Sequence, residues 1–149
     1  MENRTLKESI VCSGALFYAK STRRFLLLQK ANGKHKGTWG LVGGTNITGE
    51  TPWQGLQREI TEEIGAIPQV LKTIPLETFV SNDHVFNFHT YLCVIQEEFV
   101  PILSDEHIAW AWATIDYAPK PLHQGLRNSF GNKIIRTKLQ TIFDVIELI

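Results

Sequence analysis

The chain has 149 residues, the ordinary size of one domain, and at that length burial of about 68–70% of the unfolded surface sustains a core without staples. Apolar residues make up 43% and charged residues 20%, which excludes disordered, collagen-like and coiled-coil classes. Fifteen Lys and Arg balance fifteen Asp and Glu, and this neutrality argues against duplex nucleic acid as a partner. Residues 1–149 are therefore read as a single domain.

The polar start, MENRTLKES, lacks the apolar segment of a signal peptide, and no apolar run reaches the roughly 18 residues of a membrane span. Cys12 and Cys93 lie in apolar alternating stretches and read as buried thiols, so the expected setting is cytoplasmic, with no membrane partner. From Ser9 to Tyr18 apolar bursts separated by small residues predict a largely buried strand. Phe25 to Gln29 predicts a second strand, bounded by Arg23 and Arg24. Ala31 to Thr48 is turn-rich and holds five glycines, which permit close backbone approach to a ligand.

Thr51 to Ile64 predicts a helix with both ends marked. Thr51 suits the N-cap, Pro52 the first helical position and Gln54 the capping box, while Gly65 suits a left-handed C-cap. Trp53, Leu56, Ile60 and Ile64 share one face at helical spacing. Strands are predicted at Leu71–Val80 and Val85–Ile95, with Asn82-Asp83 in the turn between them, and again at Ile108–Ile115. A second amphipathic helix is predicted from Lys133 to Ile146, with Ile135, Leu139, Ile142, Phe143 and Ile146 on its apolar face. Strands interleaved with two helices imply an α/β or α+β layered domain.

The first helix carries the chemistry. Glu59, Glu62 and Glu63 stand at i, i+3 and i+4, so three carboxylates share one side beside the Leu56/Ile60 stripe. Their repulsion, and desolvation near the apolar seam, raise their pKa values. A hard divalent cation relieves both, and Mg²⁺ bridges carboxylates to substrate phosphates. A solvated acidic face is the plain alternative for three glutamates alone.

Their surroundings point further. Gly44 is followed after five residues by Glu50, and after seven more by Arg58-Glu59-Ile60-Thr61-Glu62-Glu63-Ile64-Gly65. This resembles the signature of the Nudix hydrolases, G-x5-E-x7-R-E-U-x-E-E-x-G-U, where U is bulky and aliphatic. All seven fixed residues are present, and a chance match is on the order of 10⁻⁷. Two positions depart from the pattern: Ala66 fills the last U, and Val42 stands where proline is frequent in the lead-in.

The resemblance implies an α/β/α sandwich around a mixed sheet. It implies hydrolysis of a nucleoside diphosphate linked to a further moiety, with Mg²⁺ or Mn²⁺ as cofactor and a small nucleotide as partner. By the family pattern Glu62 and Glu63 are direct metal ligands, Glu59 a ligand or water-positioning base, and the Gly43 carbonyl a further ligand. Arg58 pairs with Glu50 or a helix carboxylate and orients it, while Gly44, Glu50 and Gly65 support the box. A later acidic residue often serves as general base or extra ligand; Glu106 is the candidate, with neighbouring Asp105 the competitor. His84 and His107 show no zinc-ligand spacing with a cysteine or a second histidine. Lys34, His35 and Lys36 could steer phosphates.

A base-binding surface is expected to be aromatic. Trp39, in the glycine-rich lead-in, is the aromatic residue least readily assigned to the core and the candidate substrate contact. Trp110 and Trp112 share a strand face, with at least one of them expected in the core. The residues after the box carry none of the markers of the ADP-ribose, dinucleoside polyphosphate or NADH subfamilies, and the upstream pattern of the coenzyme A members is not evident either. A MutT-like nucleoside triphosphate pyrophosphohydrolase is favoured. The alternatives are an ADP-ribose or nucleotide-sugar pyrophosphatase and a non-catalytic nucleotide sensor. Many such relatives dimerise, which leaves a homodimer open.

Overall fold

The computed structural model describes residues 9–148. Its elements run β1 (Ile10–Ala19), β2 (Arg24–Lys30), β3 (Trp39–Gly40), β4 (Val42–Thr45), α1 (Pro52–Ile64), β5 (Lys72–Val80), β6 (Phe86–Ile95), β7 (His107–Ala113), α2 (Gln124–Gly131) and α3 (Lys133–Ile146). The predicted layered α/β arrangement is present as a seven-stranded mixed sheet with helices on both faces.

The sheet is ordered β3-β2-β1-β6-β5, with β4 added beside β1 and β7 beside β2. Only β1 and β6 run parallel; the other pairs are antiparallel. Strand β1 divides one edge between two partners. Tyr18 and Ala19 face β2, whereas Cys12 to Ala15 face β4. Strands β2 and β4 therefore leave β1 in a fork, and a cleft opens between them.

The alternation of β1 and β6 separates two cores. Ala15, Phe17, Cys93 and Ile95 face α1 with Leu56, Ile60 and Ile64. Leu16, Tyr18, Leu92 and Val94 face the opposite side with Leu126 and Phe130 of α2 and Leu139 and Ile146 of α3. Cys12 and Cys93 are buried free thiols, and burial pushes the Cys93 thiol up to about 12, which leaves it unreactive at neutral pH.

Helix α1 begins and ends as its residues predict. Thr51 Oγ1 accepts from the Gln54 N–H at 3.2 Å, and Gln54 Oε1 accepts from the Thr51 N–H at 3.0 Å. Gly65 closes the helix in the left-handed conformation at φ 88°. Buried Ser13 of β1 donates its hydroxyl to the Pro52 carbonyl at 2.9 Å, which pins the helix start to the sheet.

Three elements were not anticipated. Helix α2 has only two buried apolar anchors, and its cap is His123 Nδ1, which accepts from the Gly125 N–H at 3.2 Å. Eight residues with so atypical a cap carry little helical signal. Strands β3 and β4 lie in the glycine-rich stretch, where intrinsic β-propensity is low and the partner strand decides. Of the two strand tryptophans, Trp112 is buried, with its indole N–H donating to the Phe99 carbonyl at 3.0 Å, whereas Trp110 is exposed.

Candidate active site

The acidic face of α1 lies beside the fork, and its glutamates meet three different environments. Glu63 is buried, with its side chain 2% exposed, while Glu59 is 13% and Glu62 57% exposed. Glu63 Oε1 accepts from the Gly43 N–H at 2.9 Å, which ties α1 to β4. Burial, together with the charges of Glu59 and Glu106, pushes the Glu63 carboxyl up to about 8 despite that bond. Burial also raises Glu59 above the ordinary carboxylate range, against the pull of Arg58.

Arg58 holds the outer carboxylates. Its Nε donates to Glu50 Oε2 at 3.0 Å and its Nη2 to Glu50 Oε1 at 3.1 Å, a two-pronged bond. The Nη1 group reaches Glu59 Oε1 at 3.1 Å and Glu62 at 3.3 Å, and Nη2 also donates to the Thr45 carbonyl at 3.1 Å. Glu50 is held below the ordinary carboxylate range by Arg58 and by the Ile47 N–H, which donates at 2.7 Å. One guanidinium thus gathers β4, the following loop and two positions of α1.

The group opposite Glu63 was only half visible in the sequence. Glu106 precedes β7 and brings its carboxylate to Glu63, together with His107. One ligand atom from each of these three residues lies within 4.8 Å of the other two. His107 Nδ1 stands 3.4 Å from Glu63 Oε2, is buried, and has no hydrogen-bond partner among the described residues. A β-bulge puts it there: Gln29 faces Ala109, but Lys30 faces His107 rather than Ile108. His107 consequently turns inward and Ile108 outward, 63% exposed. No ligand spacing along the chain announces this histidine, because the bulge supplies the geometry.

An orphaned buried nitrogen beside two mutually repelling carboxylates could hold a metal ion. The residues present therefore fit the metal that the box implies. Glu62 stands outside this group, and its carboxylate accepts from Arg58 at 3.3 Å.

These groups form one end of a cleft of about 810 Å³. Lys30, His35 and Gly43 line it with the carboxylates, and so do Phe79, Phe86 and Phe88. Trp39 is not among its lining residues. The Trp39 backbone is clamped between β2 and the segment before α2, donating to the Pro121 carbonyl at 2.9 Å and accepting from His123 at 2.8 Å, and the residue packs on the α2/α3 core. Strand pairing thus holds Trp39 half-buried against that core, and Phe79, Phe86 and Phe88 of β5 and β6 are among the aromatic residues that line the cleft.

A sequence model described as the NUDIX domain matches residues 10–131. The chain belongs to the Nudix hydrolase family. It is 28% identical over 114 residues to the dihydroneopterin triphosphate diphosphatase of Haemophilus influenzae, covering 66% of this chain and 70% of that protein. Its fold resembles the MutT Nudix hydrolase of Burkholderia pseudomallei (TM-score 0.63, 23% identity, 85% of this chain and 98% of that one). It also resembles the Nudix domain of Shewanella oneidensis NrtR, solved with ADP-ribose (TM-score 0.71, 17% identity, 95% and 94%).

Within the Nudix box, Gly44 shows why glycine is required. A Cβ there would lie 2.7 Å from the Glu59 carboxyl carbon. Because that carboxyl is the far end of a flexible side chain, Gly44→Ala should fold normally and displace Glu59 from Arg58. The expected outcome is an unchanged circular dichroism spectrum, a Tm within about 2 °C of wild type, and a kcat lowered roughly 10–100-fold.

Proposed function

We propose that the protein hydrolyses a phosphoanhydride bond in a nucleoside triphosphate or a closely similar nucleoside diphosphate derivative. The observation that carries this reading is the convergence of Glu63, Glu106 and His107 in a cleft that phenylalanine rings also line. Such a cleft matches a ligand with polyanion at one end and a flat ring at the other.

Glu63, Glu106 and His107 would hold a divalent cation, Mg²⁺ or Mn²⁺, with Glu59 and the Gly43 carbonyl as further oxygen donors. Bound there, the cation neutralises phosphate charge and lowers the pKa of water. The remaining work falls to side chains. Arg58 fixes one oxygen of Glu59 and leaves the other free to accept a proton from the attacking water. The new P–O bond forms from that water, the bridging P–O bond breaks, and the leaving phosphate departs with the electron pair. Lys30, whose charge reaches Glu63, lines the same end and offsets charge on the phosphate oxygens.

The test is a phosphate-release screen with Mg²⁺ and with Mn²⁺. Its panel is nucleoside triphosphates, dihydroneopterin triphosphate, ADP-ribose, nucleotide sugars and dinucleoside polyphosphates. Turnover of a triphosphate well above the rest, abolished by chelator, is the expected result. Preference for ADP-ribose or a nucleotide sugar would overturn the triphosphate assignment. Silence of folded protein across the panel with both metals would overturn hydrolysis.

A further inference from the structure

Strand β5 contains a second bulge, and it changes which side chains the cleft receives. Pro75 faces Tyr91 of β6, but Glu77, not Leu76, faces Thr90. In unbroken register Glu77 would turn to the α1 side. The extra residue instead puts Glu77 and Phe79 on the same side as Thr90 and Phe88, in the cleft wall. Glu77 thereby joins Phe79 and Phe88 in the lining of the cleft, where Phe86 lies 6.2 Å from Phe79 and 6.4 Å from Phe88 between centroids.

Its protein partners do not exhaust it. The Ser129 hydroxyl donates to Glu77 Oε1 at 3.0 Å, and among the described residues Glu77 makes no ion pair. A carboxylate offers about four lone-pair directions. Oε2 and the second lone pair of Oε1 remain for a ligand that donates and does not accept.

The sheet also sets the distance. Gly43, Gly14, Thr90 and Glu77 form one transverse row through four strands, and all four line the cleft. Three steps of about 4.8 Å separate Gly43 from Glu77, roughly 14 Å in all. Gly43 carries Glu63 at one end of the row, so a nucleoside polyphosphate laid along it brings its phosphates to the acidic end and its ring to Glu77.

Resting on the reading of this cleft as a nucleotide site, we propose that Glu77 selects rings carrying a 2-amino-4-oxopyrimidine edge. That edge, shared by guanine and pterins, presents a ring N–H beside an exocyclic amino group, two parallel donors for one carboxylate. Adenine and cytosine place an acceptor nitrogen beside the amino group, and uracil flanks its N–H with two carbonyls. Each of these turns a lone pair toward Glu77 and leaves one of its oxygens without a donor from the ring.

The experiment is equilibrium binding by titration calorimetry of GMP, neopterin, AMP, CMP and UMP, in chelator, to wild type and Glu77→Gln. No turnover is needed, so failure of hydrolysis in the screen would leave this result standing. The expected result is binding of GMP or neopterin at least tenfold tighter than AMP, CMP and UMP. The stronger of the two identifies the source of the ring. Glu77→Gln, isosteric on an edge strand, should lose that preference by about tenfold. AMP binding as tightly as both, no measurable binding of either, or an unchanged preference in Glu77→Gln would overturn the assignment. Base-indifferent binding together with efficient triphosphate hydrolysis would overturn it while leaving the proposed reaction intact.

Discussion

Glu63→Gln is expected to abolish turnover and, in the same protein, to raise the stability of the metal-free state at pH 8. The two effects share one cause. In the folded chain Glu63 has a pKa of about 8, against 4.5 ordinarily. Between those values the native state binds a proton that the unfolded chain has released, so stability falls as pH rises. His107 acts in the opposite sense, because burial lowers it to about 4 from 6.5. The native state then binds fewer protons than the unfolded chain, and stability rises with pH up to about 6.5. The contributions oppose each other below that value, and the Glu63 loss is resolved from about pH 6.5 to 8. Over that window the metal-free protein should lose roughly 1–2 kcal/mol, or on the order of 3–6 °C in Tm.

Glutamine removes the charge and keeps the contacts. Its amide oxygen can accept the Gly43 N–H, and its NH₂ can donate to His107 Nδ1, now orphaned 3.4 Å away. The variant should therefore show a flat Tm across pH 6.5–8 in chelator, and Mg²⁺ or Mn²⁺ should no longer raise its Tm. Its kcat should fall by at least about 10³-fold, the scale expected for loss of a central charge-stabilising group. Thermal melts with and without metal, beside phosphate release, read all three. A Glu63→Gln protein that retains both activity and the metal-dependent rise in Tm would remove Glu63 from the site.

Arg58→Lys is the second large effect, because a lysine cannot reproduce the fork. Arg58 meets Glu50 with two nitrogens and reaches Glu59, Glu62 and the Thr45 carbonyl with the same planar group. A single ammonium can satisfy one or two of these directions. Glu59 then loses the bond that fixes its position, and the loop from β4 to α1 loses its tie. Activity should fall roughly 10–100-fold, the range found for groups that orient metal-site residues. The midpoint of the metal titration should move to higher concentration, whereas KM for substrate should change little. A drop in stability with unaltered kcat in the surviving folded protein would make Arg58 a purely structural tie.

The α1 helix was legible in full because its signals are local. Thr51, Pro52, Gln54 and Gly65 each act within one turn of themselves, and the Leu56/Ile60/Ile64 stripe needs only the 3.6-residue period. The Nudix box was legible for the same reason, since its seven fixed residues fall within one loop and one helix. Strands β1, β2, β5, β6 and β7 were visible as apolar runs within a residue or two of their ends.

What the sequence could not display is what two bulges and one strand pairing decide. Local periodicity and motif spacing determined a layered α/β domain with an acidic helix bearing the Nudix signature. They did not determine that His107 would face Glu63, that Glu77 would enter the cleft wall, or that Trp39 would pack half-buried against the α2/α3 core. A one-residue register change reverses every side chain beyond it, and its energy comes from partner strands distant along the chain. The same holds for the environments of the three glutamates. At about 100° per residue Glu63 lies nearest the Leu56/Ile60/Ile64 stripe and Glu62 farthest from it, but only the packed strands β4 and β7 enclose Glu63. Local spacing supplied the chemical groups; desolvation and register, which exist only once the strands have paired, assigned them their roles.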